Sequence, residues 1–295
     1  REGWWAGALV STEYDDDFVH TFDPVRGAVP TVDATANACT VWSRVARDEP
    51  AGARRDRLVA AIGRAVGFLA RLQRPDGAWT LSRSGPDDDR LPVRELSIRF
   101  AVLGLTDALR VAGLDPAVVT EAEAALERVE VFLLRTALDD GSGWNDRFDP
   151  TDSRHARAEP TALLLEPARR LAGLGDVAEG AAAAVARSLL DDEGATLVRS
   201  FWVPTWDGVA PTKLVWEQPR HAVAGAGVLA GPLDTPAAVA AARRVATTLV
   251  QTEVHGHWYD LEAAAAGEVI AFVSNTLLSL RALQAWKGAW VAPSA

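Results

Sequence analysis

The chain has 295 residues, a net charge of −10 and an ordinary globular balance of 48% hydrophobic and 24% charged residues. That length suits one large domain or two small ones. The acidic charge argues against binding to nucleic acid or to an anionic membrane surface, since both need basic patches. No apolar run reaches the roughly 18 residues of a membrane span. The only cysteine, Cys39, excludes a disulfide within the chain and fits a reducing, cytoplasmic location.

The first informative stretch runs from Phe22 to Trp42 and predicts a loop that leads into a helix. Pro30 interrupts regular structure, and either Thr31 or Asp33 can cap the helix that begins after it. Residues 34–45 carry little charge, which predicts a helix that is buried nearly all round. An aspartate at the mouth of such a helix must be paired or used. Asp33 is therefore a candidate general acid as well as a candidate cap.

A repeated unit accounts for most of the remaining chain. Its clearest copy runs from Phe68 to Trp79 and consists of a helix end, a glycine turn and a tryptophan that folds back. Further copies end at Trp144 and Trp258, and a degenerate copy ends at Gly194. We expect these tryptophans to act as structural clamps.

Each turn is followed by an apolar helix of small residues, and these helices are predicted to start near Asp33, Glu95, Glu159, His221 and Val269. Helices with one apolar stripe lie between them, over residues 58–69, 119–133 and 238–249. Buried helices that alternate with amphipathic ones predict an all-α fold, an α/α toroid with five inner and four outer helices in one domain, residues 1–295. A closed barrel of six pairs needs more chain. We therefore expect missing N-terminal helices, a partner domain or subunit that completes the barrel, or a reduced barrel.

The stretch around Asp33 resembles the catalytic segment of the squalene–hopene cyclase and class II terpene cyclase family. That family has Phe-x-Phe-Asp-x-Val, then Pro-Asp-Val-Asp-Asp-Thr-Ala and an apolar run to Val-Trp. The corresponding residues here are Thr21-Phe22-Asp23-Pro24-Val25, then Pro30-Thr31-Val32-Asp33-Ala34-Thr35-Ala36, then Val41-Trp42. The glycine–tryptophan turns resemble the QW repeats of the same family. The resemblance covers nearly the whole chain, and it implies a toroid that cyclises a linear isoprenoid after protonation.

The resemblance places the family's proton donor on Asp33, with Thr31 and Thr35 beside it. The outer two aspartates of the family's motif, which help to hold the donor protonated, are replaced by Thr31 and Ala34. Drimane-forming variants have Asp-x-Asp-Thr-Thr, which is nearer to residues 31–35, although the first aspartate is still absent. The implied substrate is a C15 or C20 diphosphate such as farnesyl diphosphate.

Other residues are candidates for binding rather than for proton transfer. Aromatic faces stabilise cations, and loop packing is the alternative explanation for the same side chains: Trp42, Phe100, Trp202, Trp206 and Trp216. Polar residues are expected at one mouth of the ring: Glu95, Arg99, Glu159, Glu217, His221, Glu268 and Asn275. An acidic cluster offers oxygen ligands for Mg²⁺ and a diphosphate, or forms a solvated loop: Glu13, Asp15, Asp16 and Asp17. No organic cofactor is expected, and the position of Cys39 relative to Asp33 argues against zinc.

Two rival functions stay open on the sequence. One is a non-catalytic toroid that binds an isoprenoid or a partner protein, because two aspartates of the acid motif are absent. The other is a carbohydrate-active α/α barrel that uses tryptophan platforms and paired carboxylates such as Glu159 and Glu217.

Overall fold

Six α-helices and one pair of short strands make up the part of the protein that the computed structural model describes. That part comprises residues 6–9, 28–80, 92–145, 147–151 and 158–190, together with isolated helical positions between 236 and 283. The strands are β1 (Ala6–Leu9) and β2 (Ala28–Pro30), and the helices are α1 (Val32–Asp48), α2 (Ala53–Arg71), α3 (Glu95–Ala108), α4 (Pro116–Thr136), α5 (Ala158–Arg170) and α6 (Gly175–Leu190). A short 3-10 helix, Ala172–Leu174, precedes α6. The described part is thus predominantly helical, as predicted.

The predicted repeat is visible in the helix boundaries. Helices α1, α3 and α5 begin at residues 32, 95 and 158, so that both steps are 63 residues long. The starts predicted near Asp33, Glu95 and Glu159 are correct to within one residue. The predicted starts at His221 and Val269 lie outside the described residues.

The chain forms two compact units, Arg1–Leu133 and Leu134–Ala295. In the first unit, α1 and α3 lie side by side and run parallel, because residue pairs from both helices advance together. Asp33 contacts Ser97 near the start of the two helices, Cys39 contacts Gly104 in the middle, and Arg44 contacts Asp107 near the end. The residues of these pairs are 64, 65 and 63 positions apart in the sequence, so the corresponding helices of two consecutive repeats pack side by side.

Helices α2 and α4 also contact each other, through a few residues. Gly63 of α2 faces Val118 of α4, and the side-chain amide of Gln73 donates to the carbonyl oxygen of Ala125 at 2.8 Å. The side-chain oxygen of Gln73 accepts a hydrogen bond from Arg128, also at 2.8 Å. The Gln73 partners are 52 and 55 residues later in the chain, so α2 also contacts the helix that follows it in the repeat.

The Trp79 turn fixes the end of α2 to the start of α3. The indole N–H of Trp79 donates to the carbonyl oxygen of Leu69 at 2.9 Å, and the carbonyl oxygen of Trp79 accepts from the backbone of Arg94. Gly77, at a φ of 95°, brings the turn so close to the backbone of Arg128 that a side chain there would clash. Because the Trp79 ring is fully buried against a helix end, its environment is that of a structural clamp.

The second unit repeats this device at Trp144. The ring is fully buried, and the Thr161 hydroxyl of α5 accepts from the Trp144 backbone N–H at 2.9 Å and donates to its carbonyl oxygen at 2.8 Å. Helices α5 and α6 pack together, and residues 160–165 of α5 are buried without interruption. The first half of α5 is thus buried, as predicted for this apolar helix.

Two local features differ from the prediction. The segment before α1 is not wholly a loop, since β2 pairs antiparallel with β1; the residue before a proline favours the extended conformation. Helix α1 is also not buried all round, because Val41 and Trp42 are 54% and 36% exposed. The most completely buried helix of the first unit is α3, in which ten of 14 residues are buried. No helix in the described part of the chain is long and apolar enough to cross a membrane.

Candidate active site

Asp33 lies in the first turn of α1 and is not the residue that caps the helix. The cap is Thr31, whose backbone is extended and whose hydroxyl oxygen accepts from the backbone N–H of Ala34 at 3.2 Å. The sequence left both residues open as caps, and the structure selects Thr31. The carboxyl group of Asp33 is therefore not needed to satisfy the free N–H groups of the helix terminus.

The carboxyl group of Asp33 points to the neighbouring helix. The Ser97 hydroxyl of α3 donates to Oδ1 of Asp33 at 2.6 Å, and Ser97 is completely buried. Within the described residues this is the one hydrogen bond of the Asp33 side chain, and Asp33 forms no ion pair there. The other oxygen, Oδ2, is thus uncommitted in the described part of the protein.

Burial is the main influence on the acidity of Asp33. Desolvation raises its pKa above the ordinary value of 3.8, while the hydrogen bond from Ser97 and the positive charge of Arg94 act in the opposite direction. Burial prevails, so the carboxyl group keeps its proton to a higher pH than an exposed aspartate would. A carboxyl group that is half-buried, that forms no ion pair among the described residues and whose pKa is raised is a candidate general acid.

A second buried carboxylate, that of Asp107, is held by ion pairs, as is usual for a buried carboxylate with a structural role. Asp107, near the end of α3, is only 2% exposed and is bound by Arg44 of α1 at 3.4 Å and by Arg110 at 3.5 Å. Two arginines thus form ion pairs with Asp107, whereas Asp33 is hydrogen-bonded by a neutral hydroxyl and is influenced by the charge of Arg94 without forming an ion pair with it. The two ends of the α1–α3 pair therefore differ in chemistry.

The structure separates some of the predicted site residues from Asp33. Trp42 lies nine residues further along α1, which is about 13.5 Å along the axis and half a turn around it. Its ring therefore belongs to the opposite face of the helix from Asp33. Thr35 is buried one half-turn beyond Asp33, and Phe100 lies one turn after Ser97 on α3, partly exposed. Of the predicted aromatic residues that are described, Phe100 is the one on a neighbouring turn.

The remaining predicted residues fall into two groups. Glu95 opens α3, so it lies at the same end of the parallel pair as Asp33, and Arg99 is almost fully buried one turn later. Glu159 occupies the second position of α5. The others lie outside the described residues: Glu13, Asp15, Asp16, Asp17, Trp202, Trp206, Trp216, Glu217, His221, Glu268 and Asn275. No group of three metal-binding side chains occurs among the residues that the structure describes.

An open groove of about 800 Å³ lies elsewhere on the first unit. It is formed by the first half of α2, the loop before α4 and the start of α4, with Val59, Gly63, Leu114 and Val118 among its lining residues. Helices α1 and α2 pack antiparallel, so the start of α2 lies beside the end of α1. The groove at the start of α2 is therefore far from Asp33, which is at the start of α1. Its size alone does not connect it with the acid, and we place the candidate chemistry at Asp33.

Ser97 and Arg94 are the residues that sequence reasoning missed. The signal was present in the repeat, since a step of about 63 residues from Asp33 leads to the first turn of the next inner helix. Ser97 lies 64 residues after Asp33. Comparisons of the sequence with models of known protein families and with curated proteins found no match.

Proposed function

We propose that this chain is a class II type terpene cyclase in which Asp33 protonates the terminal double bond of a linear isoprenoid diphosphate. The observation that carries the proposal is the state of this one carboxyl group. It is half-buried, its pKa is raised by desolvation, and the capping of α1 is done by Thr31. A purely structural explanation of Asp33 as a cap therefore no longer applies.

The proposed reaction needs an acid in a site with little water, because an alkene is a weak base. The proton on Asp33 forms a new C–H bond with the π electrons of the terminal alkene, and the electrons of the broken O–H bond stay on the carboxylate. The tertiary cation that results is attacked by the next double bond of the same chain, which closes a ring. Loss of a proton to water ends the sequence, and water reloads the acid.

The substrate part of the proposal rests on the sequence. A C15 or C20 diphosphate is proposed because the motif around Asp33 is nearest to the drimane-forming variants. Mg²⁺ held by Glu13 and the aspartates 15–17 is the proposed aid to diphosphate binding. Phe100, on the turn after Ser97, is the described aromatic residue that we propose beside the cation.

A second function is favoured by one observation. The position of the family's first motif aspartate is Thr31, and its hydroxyl is occupied in capping. The donor thus lacks a flanking carboxylate at this position. A toroid that binds the isoprenoid without turnover would be consistent with this change.

The test is incubation of the purified protein with farnesyl diphosphate or geranylgeranyl diphosphate and Mg²⁺, followed by dephosphorylation and product analysis by mass spectrometry. We expect a cyclic product, and in D₂O that product should carry one added deuterium on the ring methylene next to the gem-dimethyl carbon, because the proton adds to the CH carbon of the terminal alkene and leaves the tertiary cation. Asp33→Asn should abolish it. Asp48→Asn, which removes an exposed carboxylate from the same helix, is the matched control and should stay active.

The two functions separate cleanly in this experiment. Calorimetric binding of either diphosphate without cyclic product would support the binding toroid. A cyclic product from Asp33→Asn at the wild-type rate would contradict the assignment of the acid.

A further inference from the structure

We propose that Ser97 is the positioning residue of this acid: by holding Oδ1 of Asp33 it leaves the transferable proton on Oδ2. The inference rests on the proposed role of Asp33 and adds a second residue to the site. It is carried by the 2.6 Å hydrogen bond from the Ser97 hydroxyl and by the complete burial of that serine.

The hydroxyl comes from a rigid part of the fold. Ser97 is in the first turn of α3, the most completely packed helix of the first unit. The distance between α1 and α3 is fixed by close packing, since a Cβ at Gly104 would lie only 2.9 Å from the carbonyl oxygen of Ala36. The Cys39 thiol also contacts the Gly104 carbonyl oxygen at 3.5 Å. Asp33 therefore meets a partner that is already in place.

A serine hydroxyl can donate to Oδ1 both before and after proton transfer. Before transfer, Oδ1 is the carbonyl oxygen of a neutral acid, and Oδ2 carries the proton. After transfer, Oδ1 belongs to a carboxylate, and a hydrogen bond to a charged acceptor is stronger than one to a neutral acceptor. The Ser97 bond therefore strengthens while the Oδ2–H bond breaks. An interaction that grows toward the transition state accelerates the reaction.

Charged groups near Asp33 can be distinguished from Ser97, because their effect on the pKa of Asp33 depends more strongly on salt. Arg94, at the start of α3, also favours the ionised form of Asp33. Glu95 and Arg99 lie on the same two turns of α3, and α2 contributes Arg71 in its last turn. The effect of a nearby charge is screened by salt, whereas a buried hydrogen bond is much less affected. Salt dependence thus distinguishes Arg94 from Ser97.

The first measurement is the pH dependence of kcat in wild type, Ser97→Ala and Ser97→Thr. Activity requires protonated Asp33, so kcat should fall as pH rises through its pKa. Loss of the Ser97 bond removes an influence that lowers this pKa. We expect Ser97→Ala to be about 10²-fold slower, the usual effect of removing one transition-state donor, and its falling limb should move to higher pH. Ser97→Thr keeps the hydroxyl and should keep the wild-type profile.

The matched control is Ser43→Ala. Ser43 is equally buried and lies on α1, far along the helix from Asp33. A general loosening of the α1–α3 pair would lower kcat in both alanine variants, but it would not change the pH at which kcat falls. An Arg94→Gln variant should shift the limb in the same direction as Ser97→Ala, and that shift should shrink at high salt.

A second measurement does not depend on turnover. The carboxyl carbon of Asp33 can be titrated by NMR in ¹³C-labelled protein, with Asp33→Asn for assignment. We expect a higher pKa for Asp33 in Ser97→Ala than in wild type. An unchanged pKa overturns the role of Ser97, even if the protein cyclises its substrate. If Ser97→Ala raises the pKa of Asp33 but the wild-type protein forms no cyclic product, the coupling between Asp33 and Ser97 is confirmed and the proposed function is contradicted.

Discussion

Gly104 of α3 faces the backbone of Ala36 of α1 with no space for a side chain between them. A Cβ at position 104 would lie 2.9 Å from the Ala36 carbonyl oxygen, nearer than Cβ atoms approach in proteins. This close approach is the reason that the short side chains of Asp33 and Ser97, in the first turns of α1 and α3, can meet. The separation of the two backbones therefore determines whether the candidate acid has its partner.

Gly104→Ala should destabilise the protein by about 1–3 kcal/mol, because the added methyl group meets backbone that cannot move aside. Gly63→Ala on α2 is the control. Its Cβ would lie 3.6 Å from Val118, an ordinary contact, and alanine in place of helical glycine should stabilise by about 0.4–1 kcal/mol. Urea unfolding of both variants checks the pair, and equal effects would contradict the close packing of α1 and α3.

Asp33→Asn should raise stability at neutral pH. The pKa of Asp33 in the folded protein lies above its ordinary value of 3.8, so the folded state holds the proton more tightly than the unfolded chain does. The wild-type free energy of unfolding should then decrease as pH rises from about 3.8 through the folded pKa. Asparagine has no such ionisation and can still accept from Ser97. Asp33→Asn should therefore have a higher free energy of unfolding than wild type above the folded pKa of Asp33 and the same free energy below about pH 3.8. Urea unfolding at a series of pH values measures the difference.

Thr31→Ala should lower the free energy of unfolding by about 0.5–2 kcal/mol, since the N–H of Ala34 loses its acceptor. Thr31→Ser keeps the hydroxyl and should restore most of that loss. If Asp33 were the cap instead, Thr31→Ala would be nearly neutral. Circular dichroism during thermal unfolding is sufficient to distinguish these outcomes.

Trp79→Ala should cost about 3–5 kcal/mol, the range for a large buried aromatic side chain. The variant also removes the indole N–H that bonds the Leu69 carbonyl oxygen. Trp42→Ala is the control, because that ring is 36% exposed and its loss should cost much less. A thermal melt of Trp79→Ala that matches wild type would contradict the clamp.

Cys39 should be inert to thiol reagents in the folded protein. Burial raises the pKa of its thiol to about 12; the hydrogen bond with Ser43 opposes this increase, and the negative charge of Asp107 adds to it. Because the thiolate is the reactive form, labelling should require opening of the α1–α3 contact. Modification with a colourimetric disulfide reagent should be complete in denaturant and very slow without it. Fast labelling at neutral pH would show that this contact opens readily.

Much of the helical framework can be predicted from the sequence, because apolar spacing and glycine turns are local signals. In the stripe predicted over residues 58–69, Ile62, Val66 and Leu69 are buried and Leu58 is partly exposed. The starts of α3 and α5 agree with the repeat. The exposure of Val41 and Trp42 could not be predicted in this way. Whether an apolar helix face is covered depends on the neighbouring elements, and the residues of the helix itself do not specify them.

The candidate site can be predicted only in part from local sequence patterns. Asp33 could be selected by its position before an apolar helix, but the choice between Thr31 and Asp33 as cap depends on backbone geometry at the turn. Ser97 carries no motif of its own. It becomes part of the site only because a helix 64 residues later in the chain packs in parallel at close distance.

The starts of α1, α3 and α5 follow a constant step of 63 residues along the sequence, but the residue types at the repeated positions do not follow it. The second position of α1, α3 and α5 is occupied by Asp33, Leu96 and Glu159 in turn. The position in the repeat therefore does not by itself specify an acid. What distinguishes Asp33 is its surroundings, namely its burial and the hydroxyl that Ser97 supplies from the neighbouring helix.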